Sequence, residues 1–427
     1  MTINTGMRVK LSCLNIAYAI QNVGGIDFSQ DVGDTVPVKY TLLGLRKAGY
    51  KVSCLKLRGR SVVGIDDISQ LERFWYAPLG LSGKGPFMRF ESAVRRLQRV
   101  LRIPYFAFFD AYRFYEACSR CLPNYHLCHE HNGLFCIGAA LACSQLRIPY
   151  VLTVSADPLL ERSLLKQPLR GLHGFIAAAE AKFTYRLAKK IICVSEPAKR
   201  HLVKTWQVAP EKVEVLPNGV DTELFKPGED PGSIRAGLGF GSAPVISFAG
   251  GFQPWHGLDL LVESFALVLQ EFPEAKLFLI GDGRARPIVD QKVAELGIES
   301  SVIITGLVPQ ARVPELLSVV DIAVLPYPRL PEELWFSPLK LYEYMATGKA
   351  IVASRAGQIA EVVQHGWDGL LVEPGDIADL AQAIIRLLMN PEERERLGRN
   401  ARHKAIEEHS WERYIERLEE IYLSALA

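Results

Sequence analysis

From one end of the chain to the other, short runs of β-branched and apolar residues alternate with glycine- or proline-marked turns and stretches of helical periodicity. Runs such as PVISFAG, DIAVLPY and KAIVAS are apolar at nearly every position rather than at every second one. A strand tolerates that pattern when both of its faces are covered, as in a parallel sheet sandwiched between helices. The first half supplies MRVKLSCL, YKVSCLKL, YHLCHE, PYVLTVS and KIICVSE; the second supplies PVISFAG, AKLFLIG, SVIITG, DIAVLPY, KAIVAS and GLLVE. A single core stops growing well short of 427 residues, and 49% hydrophobic content is ample for two, so two doubly wound α/β domains are expected.

Glycine and proline concentrate in LPNGVDTELFKPGEDPGS, which marks the linker. The charge balance reverses there: residues 1–220 hold 30 Lys and Arg against 16 Asp and Glu, whereas residues 221–427 hold 19 against 31. A positive half favours an anionic partner, either a phospholipid surface or a phosphate-bearing acceptor. Nucleic acid is not expected, because the aromatics are not interleaved with base-stacking strands and no recognition module is present. The last segment spaces Trp411, Tyr414, Ile415, Leu418, Ile421, Tyr422 and Ala425 along one face of a helix that must pack on one of the domains.

No run reaches the roughly 18 apolar residues of a membrane span; GLFCIGAALAC at 133–143 is the longest. At the N-terminus, Arg8 and Lys10 precede LSCLNIAYAI, which has the outline of a signal peptide but also that of a buried strand running into a glycine loop. The second reading is preferred, since cleavage would delete the strand. All eight cysteines fall in the first half, several within apolar runs, which suits buried thiols in a reducing, cytoplasmic compartment. A zinc site could be drawn through Cys118, Cys121, His126, Cys128, His129 and His131, but the second pair lacks ligand spacing and YHLCHEH reads as a strand entering a loop. No metal is expected.

The stretch FSPLKLYEYMATGKAIVAS raises the chemical question, because Lys340 and Glu343 sit in an otherwise apolar helix, where ionised groups are costly unless something polar meets them. Ser337 before Pro338 reads as an N-cap followed by proline at the first helical position. The amides of that turn and the positive end of the helix dipole would form an anion site, with Lys340 and Glu343 on the same side. A nucleoside diphosphate satisfies all three features, its phosphates meeting the amides and Lys340 and its ribose diol meeting Glu343. The alternative is a structural Lys–Glu pair on one helix face. Gly250 and Gly251 with His256 in SFAGGFQPWHG, Gly281 and Gly283 in IGDGRA, and ITGLV each put glycine at a strand end, where open α/β sheets bind ligands.

In this order the motifs resemble the family-4 retaining glycosyltransferases of GT-B fold. The resemblance runs from Gly24-Gly25 through HEHNG, VSEPAKRHLVK, LPNGVDTELFKP, FAGGFQPWHGLDLLVESF, LIGDG, ITGLVP, DIAVLPY, SPLKLYEYMATGKAIVAS and HGWDGLLVEPGD. It implies two Rossmann-like domains facing across a cleft. Residues 1–220 would bind the acceptor, residues 221–409 the nucleotide-sugar donor, and residues 410–427 would form a helix crossing back to the first domain. Glu343 matches the glutamate that holds the donor ribose; Ser337, Pro338 and Leu339 match the diphosphate-binding turn; Leu307 and Val308 match the loop against the base; Gly24 and Gly25 match the N-terminal glycine loop near the donor phosphate.

The sequence departs from the family pattern at four positions. The first signature glutamate is Trp335, with Glu332 and Glu333 just upstream; the phosphate-gripping Arg and Lys fall on Gly251 and His256; and the histidine after the third N-terminal strand is Ser155. Lys340 could supply the missing phosphate charge, and His256 could donate to phosphate or cap backbone. Glu130 and His131, at the end of a first-domain strand, are candidates for substrate contact.

The helical segment RFESAVRRLQRVLRI sets Phe90, Val94, Leu97 and Leu101 on one face and Arg95, Arg96, Arg99 and Arg102 largely on another. Either its apolar face packs on the sheet, or the helix lies on an anionic membrane. The expectation is a cytoplasmic enzyme, or one peripheral at the inner face of the membrane. It would transfer a hexosyl group from a nucleoside-diphosphate sugar, with retention and without a cofactor, to a sugar or lipid-linked acceptor in surface polysaccharide or glycolipid synthesis. A GT-B nucleotide-sugar epimerase and a non-catalytic nucleotide-sugar binding protein are the alternatives.

Overall fold

A computed structural model of the chain describes residues 14–21, 26–28, 33, 35–103, 107–164, 167–228, 231–330, 333 and 335–427. It divides into two compact units, Met1–Leu216 with Ile415–Ala427, and Pro217–Tyr414.

The first unit is built on an eight-stranded sheet in the spatial order Trp75–Tyr76, Ser61–Ile65, Lys51–Arg58, Asn15–Ile20, Leu127–His131, Tyr150–Val154, Lys190–Cys193 and Val213–Val215. The six strands from Lys51–Arg58 onward pair in parallel, and the first two extend the edge as antiparallel strands. The first strand is NIAYAI; of the expected MRVKLSCL, residues 7–13 lie outside the described residues. The central strands Leu127–His131 and Tyr150–Val154 are buried at every position; the second is largely apolar, whereas the first carries His129, Glu130 and His131 into the interior. The apolar face of the helix Trp411–Leu426 is buried from Trp411 to Ala425. Its residues from Ile415 on group with the first unit, where the Tyr422 hydroxyl meets His129 Nδ1 at 2.7 Å.

The second unit holds the six strands expected in its half of the sequence, all parallel, in the order Val302–Ile304, Lys276–Ile280, Val245–Ala249, Ile322–Leu325, Ala350–Ser354 and Leu370–Val372. In chain order this is the 3-2-1-4-5-6 arrangement of dinucleotide-binding domains. Successive residues face opposite layers: Val245, Phe278 and Ile351 join one core cluster, and Ile246, Leu277 and Val352 join the other. Each such side chain contributes on the order of 1.5–3 kcal/mol through the apolar surface it removes from water.

Candidate functional site

The strand order of the second unit reverses beside Val245–Ala249: the chain first builds toward one edge and then returns to lay Ile322–Leu325 on the other side, and the carboxyl ends at such a reversal are where open α/β sheets bind ligands. The loops there pack closely. A Cβ on Gly257 would fall 1.9 Å from the Pro326 carbonyl oxygen, and one on Gly281 would fall 2.1 Å from that of Gly250. A Cβ on Gly283 would fall 2.6 Å from the Phe252 carbonyl oxygen. The glycines at these strand ends are therefore explained first by backbone meeting backbone beside the reversal.

The helix Leu339–Ala346 delivers Lys340 and Glu343 to this place. The Lys340 ammonium lies 4.1 Å above the centre of the Phe248 ring and 3.4 Å from each ring nitrogen of His256. Its stem passes Gly250, where a Cβ would be 3.0 Å from Cε, so a side chain there would compete with the lysine. His256 Nδ1 lies 2.6 Å from the Gly251 carbonyl oxygen, an acceptor, so the ring proton belongs on Nδ1 and Nε2 is an acceptor facing the ammonium. Burial and the neighbouring ammonium hold His256 well below its ordinary range, with the Gly251 contact opposing. The ring proton is committed to backbone, which matches the backbone-capping alternative for His256 rather than donation to phosphate.

Lys340 and Glu343 each keep a slice of accessible surface but are otherwise enclosed by protein. Burial disfavours the ammonium and brings Lys340 down to about 7, with Glu343 pulling the other way. Burial likewise lifts Glu343 to about 7 against the opposing effects of Lys340 and of the Gln310 side chain, whose Nε2 donates to Glu343 Oε1 at 3.4 Å. Near neutral pH the pair is poised between charged and neutral forms, and an anion arriving at Lys340 would draw it to the ammonium.

The turn before the helix differs from expectation. Pro338, with extended backbone, is the cap residue, and Ser337 does not cap the helix. The Ser337 hydroxyl is engaged elsewhere: it accepts from the Asn218 amide at 3.2 Å and meets the Tyr342 hydroxyl at 3.2 Å, while Asn218 Nδ2 donates to the Ser337 carbonyl. No side chain caps the helix, so the leading amides of Leu339 and Lys340 are left for ligand or water. Leu307 is 83% exposed, and Val308 packs partly buried against the core. Trp335 is buried edge-on to Phe336, a packing position. Gly24, Gly25 and Glu332 lie outside the described residues.

Two residues that sequence reasoning passed over belong to this neighbourhood. Among the described residues, Gln310 Oε1 and the Tyr327 hydroxyl are buried without a hydrogen-bond partner, the first beside Glu343 and the second on a ring 5.6 Å from His256. Buried polar atoms are seldom left bare, so both suit a site that a ligand completes.

In the first unit, Glu130 is the penultimate residue of its strand, as expected, but it does not face outward. It is fully buried, and its Oε2 accepts from the Tyr150 hydroxyl at 2.5 Å. Burial lifts it to about 8 against the opposing Tyr150 hydrogen bond, and its Oε1 has no partner among the described residues. Strand alternation sends His131 to the other face, together with His129, which contacts Tyr422 and Thr153 and is pushed down to about 3 by burial. The loop after this strand is held in an unusual form. Phe135 has φ of 59°, its carbonyl accepts from Gln21 Nε2 at 2.6 Å, and its ring stacks on His173. With Asp157, Glu180 and Thr184 it lines a small recess, where burial raises Glu180 to about 7 and its Oε2 has no partner among the described residues. Asp157 accepts from His201 Nε2 and Trp206 Nε1, each at 2.7 Å. Among the described residues no three His, Cys, Asp or Glu converge as metal ligands, the seven cysteines are free and buried, and His126 accepts from the Asn15 amide.

Comparison with known proteins bears on both units. Residues 38–224 match the family model described as Glycosyltransferase Family 4, and residues 243–390 match that described as Glycosyl transferases group 1. The chain is 31% identical over 316 residues to the MMP alpha-(1->4)-mannosyltransferase of Mycolicibacterium hassiacum, spanning 71% of this chain and 72% of that protein. It is 29% identical over 314 residues to the alpha-maltose-1-phosphate synthase of Mycolicibacterium smegmatis, spanning 69% and 78%. The crystal structure of HepE from Anabaena in complex with UDP superposes with a TM-score of 0.70 at 19% identity, covering 96% of this chain and all of that one.

Proposed function

We infer the reaction from a premise now in hand: the chain belongs to the group 1, family 4 glycosyltransferases, has their GT-B fold, and is a glycosyltransferase. Our reading is that it takes a nucleoside-diphosphate sugar and passes the sugar to an acceptor hydroxyl with retention at the anomeric carbon. The observation that carries this reading is the Lys340–Glu343 pair at the uncapped head of the helix Leu339–Ala346, beside the strand-order reversal. The diphosphate would lie against the amides of Leu339 and Lys340 and accept from the Lys340 ammonium, while the ribose diol would donate to Glu343. Gln310 Oε1 is placed to take a further donor from the same ligand, and Leu307 and Val308 would lie against the base. HepE, whose structure contains UDP, supports a ligand of this class.

As the sugar leaves, negative charge builds on the departing diphosphate. Amides and an ammonium fixed in a partly dry site stabilise that charge without having to reorganise. The scheme requires no metal, because Lys340 supplies cationic charge where other phosphate-transfer sites place a divalent ion. The first unit would hold the acceptor, a sugar or lipid-linked sugar of surface polysaccharide or glycolipid assembly, with its basic character supporting an anionic acceptor.

A thermal-unfolding screen with UDP, GDP and ADP and their sugars tests the donor reading, since a ligand of the folded form raises the melting temperature by mass action. One nucleoside diphosphate should stabilise the protein at concentrations where its nucleoside does not. If none does, the donor site is wrongly assigned.

A further inference from the structure

The helix Gly85–Val100 sits on the first unit with its charged side inward. Glu91 is fully buried beneath it, 2.6 Å from the equally buried Arg113 guanidinium and 2.8 Å from Arg95, and Arg95 and Arg113 both reach Asp110. Of the two readings left open for this helix, packing of the apolar face on the sheet is not what is found. Phe87 turns in against Phe109 and Tyr112, whereas Phe90, Leu97, Val100 and Leu101 are 61%, 57%, 73% and 56% exposed. At 100° per residue these four form one stripe, and the exposed Ile103 and Phe108 follow it. Arg89, Arg96 and Arg99 run along one flank, with Arg102 at the end; all four are exposed, and among the described residues none is in an ion pair.

A contiguous apolar stripe beside a file of arginines is the pattern of a helix that rests on a lipid headgroup layer, with the apolar side chains reaching the acyl boundary and the guanidiniums meeting phosphates. We propose that this helix docks the protein on an anionic bilayer surface. The charge complementarity of the flank, and the excess of 30 Lys and Arg over 16 Asp and Glu in residues 1–220, favour lipid over an apolar protein groove. Docking would hold the enzyme where lipid-linked acceptors are presented. The contact uses none of the residues assigned to the donor, so it stands or falls separately.

Co-sedimentation with phosphatidylcholine vesicles, with and without phosphatidylglycerol, tests it. The protein should sediment with the anionic vesicles, stay in solution with the neutral ones, and be released by salt. Because the stripe is already in water, Leu97→Glu with Val100→Glu should leave the melting temperature unchanged and cut vesicle binding about tenfold or more; Arg96→Glu with Arg99→Glu should do likewise. The proposal is overturned if the unaltered protein ignores anionic vesicles or if either double variant binds them as well as the parent. It is also overturned if the parent proves to be a dimer that Leu97→Glu dissociates, which would make the stripe an interface with a second copy.

Discussion

Replacing Lys340 by methionine keeps most of the stem and removes the charge, and the structure gives its consequences opposite signs with and without ligand. With a diphosphate bound, a charge about 4 Å away is worth on the order of 4 kcal/mol at the effective dielectric near a protein surface. Desolvation takes back part, leaving the roughly 1.5–3 kcal/mol typical of a hydrogen bond to a charged group. Loss of that interaction should weaken binding roughly 10- to 150-fold. Without ligand, the ammonium is a burden. Burial lowers Lys340 from 10.5 to about 7, so between those values the unfolded chain binds more protons than the native one. Native stability contributed by this group therefore rises with pH across that window, and the burden is greatest at pH 7 and below. Lys340→Met should accordingly melt higher than the parent at pH 7, with a gap that closes as pH approaches 10.5. Isothermal titration with the preferred nucleotide and thermal unfolding of the unliganded protein measure the two effects. Binding within about threefold of the parent, or an unliganded variant that melts several degrees lower, would show that Lys340 is a strut and would refute the reasoning.

Two further outcomes follow from the same physics. Burial holds Glu130 at about 8 against an ordinary 4.5, so the native state keeps a proton that the unfolded chain loses, and the associated stability is lost as pH rises through that window. Glu130→Gln should remove that pH dependence from thermal unfolding while leaving glycosyl transfer within about twofold at pH 7. A large loss of transfer would return the residue to the catalytic site. Gly281→Ala places a Cβ 2.1 Å from the Gly250 carbonyl at φ +135° and should cost about 3 kcal/mol or more in denaturant unfolding. Gly241→Ala, at φ +52° with nothing within 4 Å, should cost about 1 kcal/mol, and equal losses would deny the loop contact.

The sequence was most informative where strands are buried on both faces, as in all of the second unit's sheet except the half-buried edge strand Val302–Ile304. The six strands of the second unit are apolar on both faces, and no other element could bury them, so their existence and parallel arrangement follow from composition alone. The edge strands Trp75–Tyr76 and Val213–Val215, and Ser61–Ile65 next to the first of them, were not anticipated, being too short or too mixed to declare a period. Local patterns misled where a distant residue intervened. Ser337 has the identity and position of a cap, but Asn218, 119 residues earlier, occupies its hydroxyl. Glu130 follows a strand pattern that says nothing about which face reaches solvent, and only Tyr150 across the sheet fixes its role. The helix Gly85–Val100 carries two candidate inner faces, and Arg113 decides between them by drawing Glu91 under. Lys340 and Glu343 stood out because charge in an apolar helix is costly wherever it lies. Gln310 gave no such signal, because a glutamine in a loop is ordinary until its neighbours are known.

Because Lys340 and the two leading amides are borne on one short helix, the strands fix their spacing once for all three. A cation on a glycine loop has to be re-aimed each time that loop relaxes, whereas here point charge and dipole travel as a single rigid body. Any motion that shifts the helix Leu339–Ala346 should therefore tighten or slacken the grip on an anion in one step, making the position of this helix the natural handle for tuning turnover.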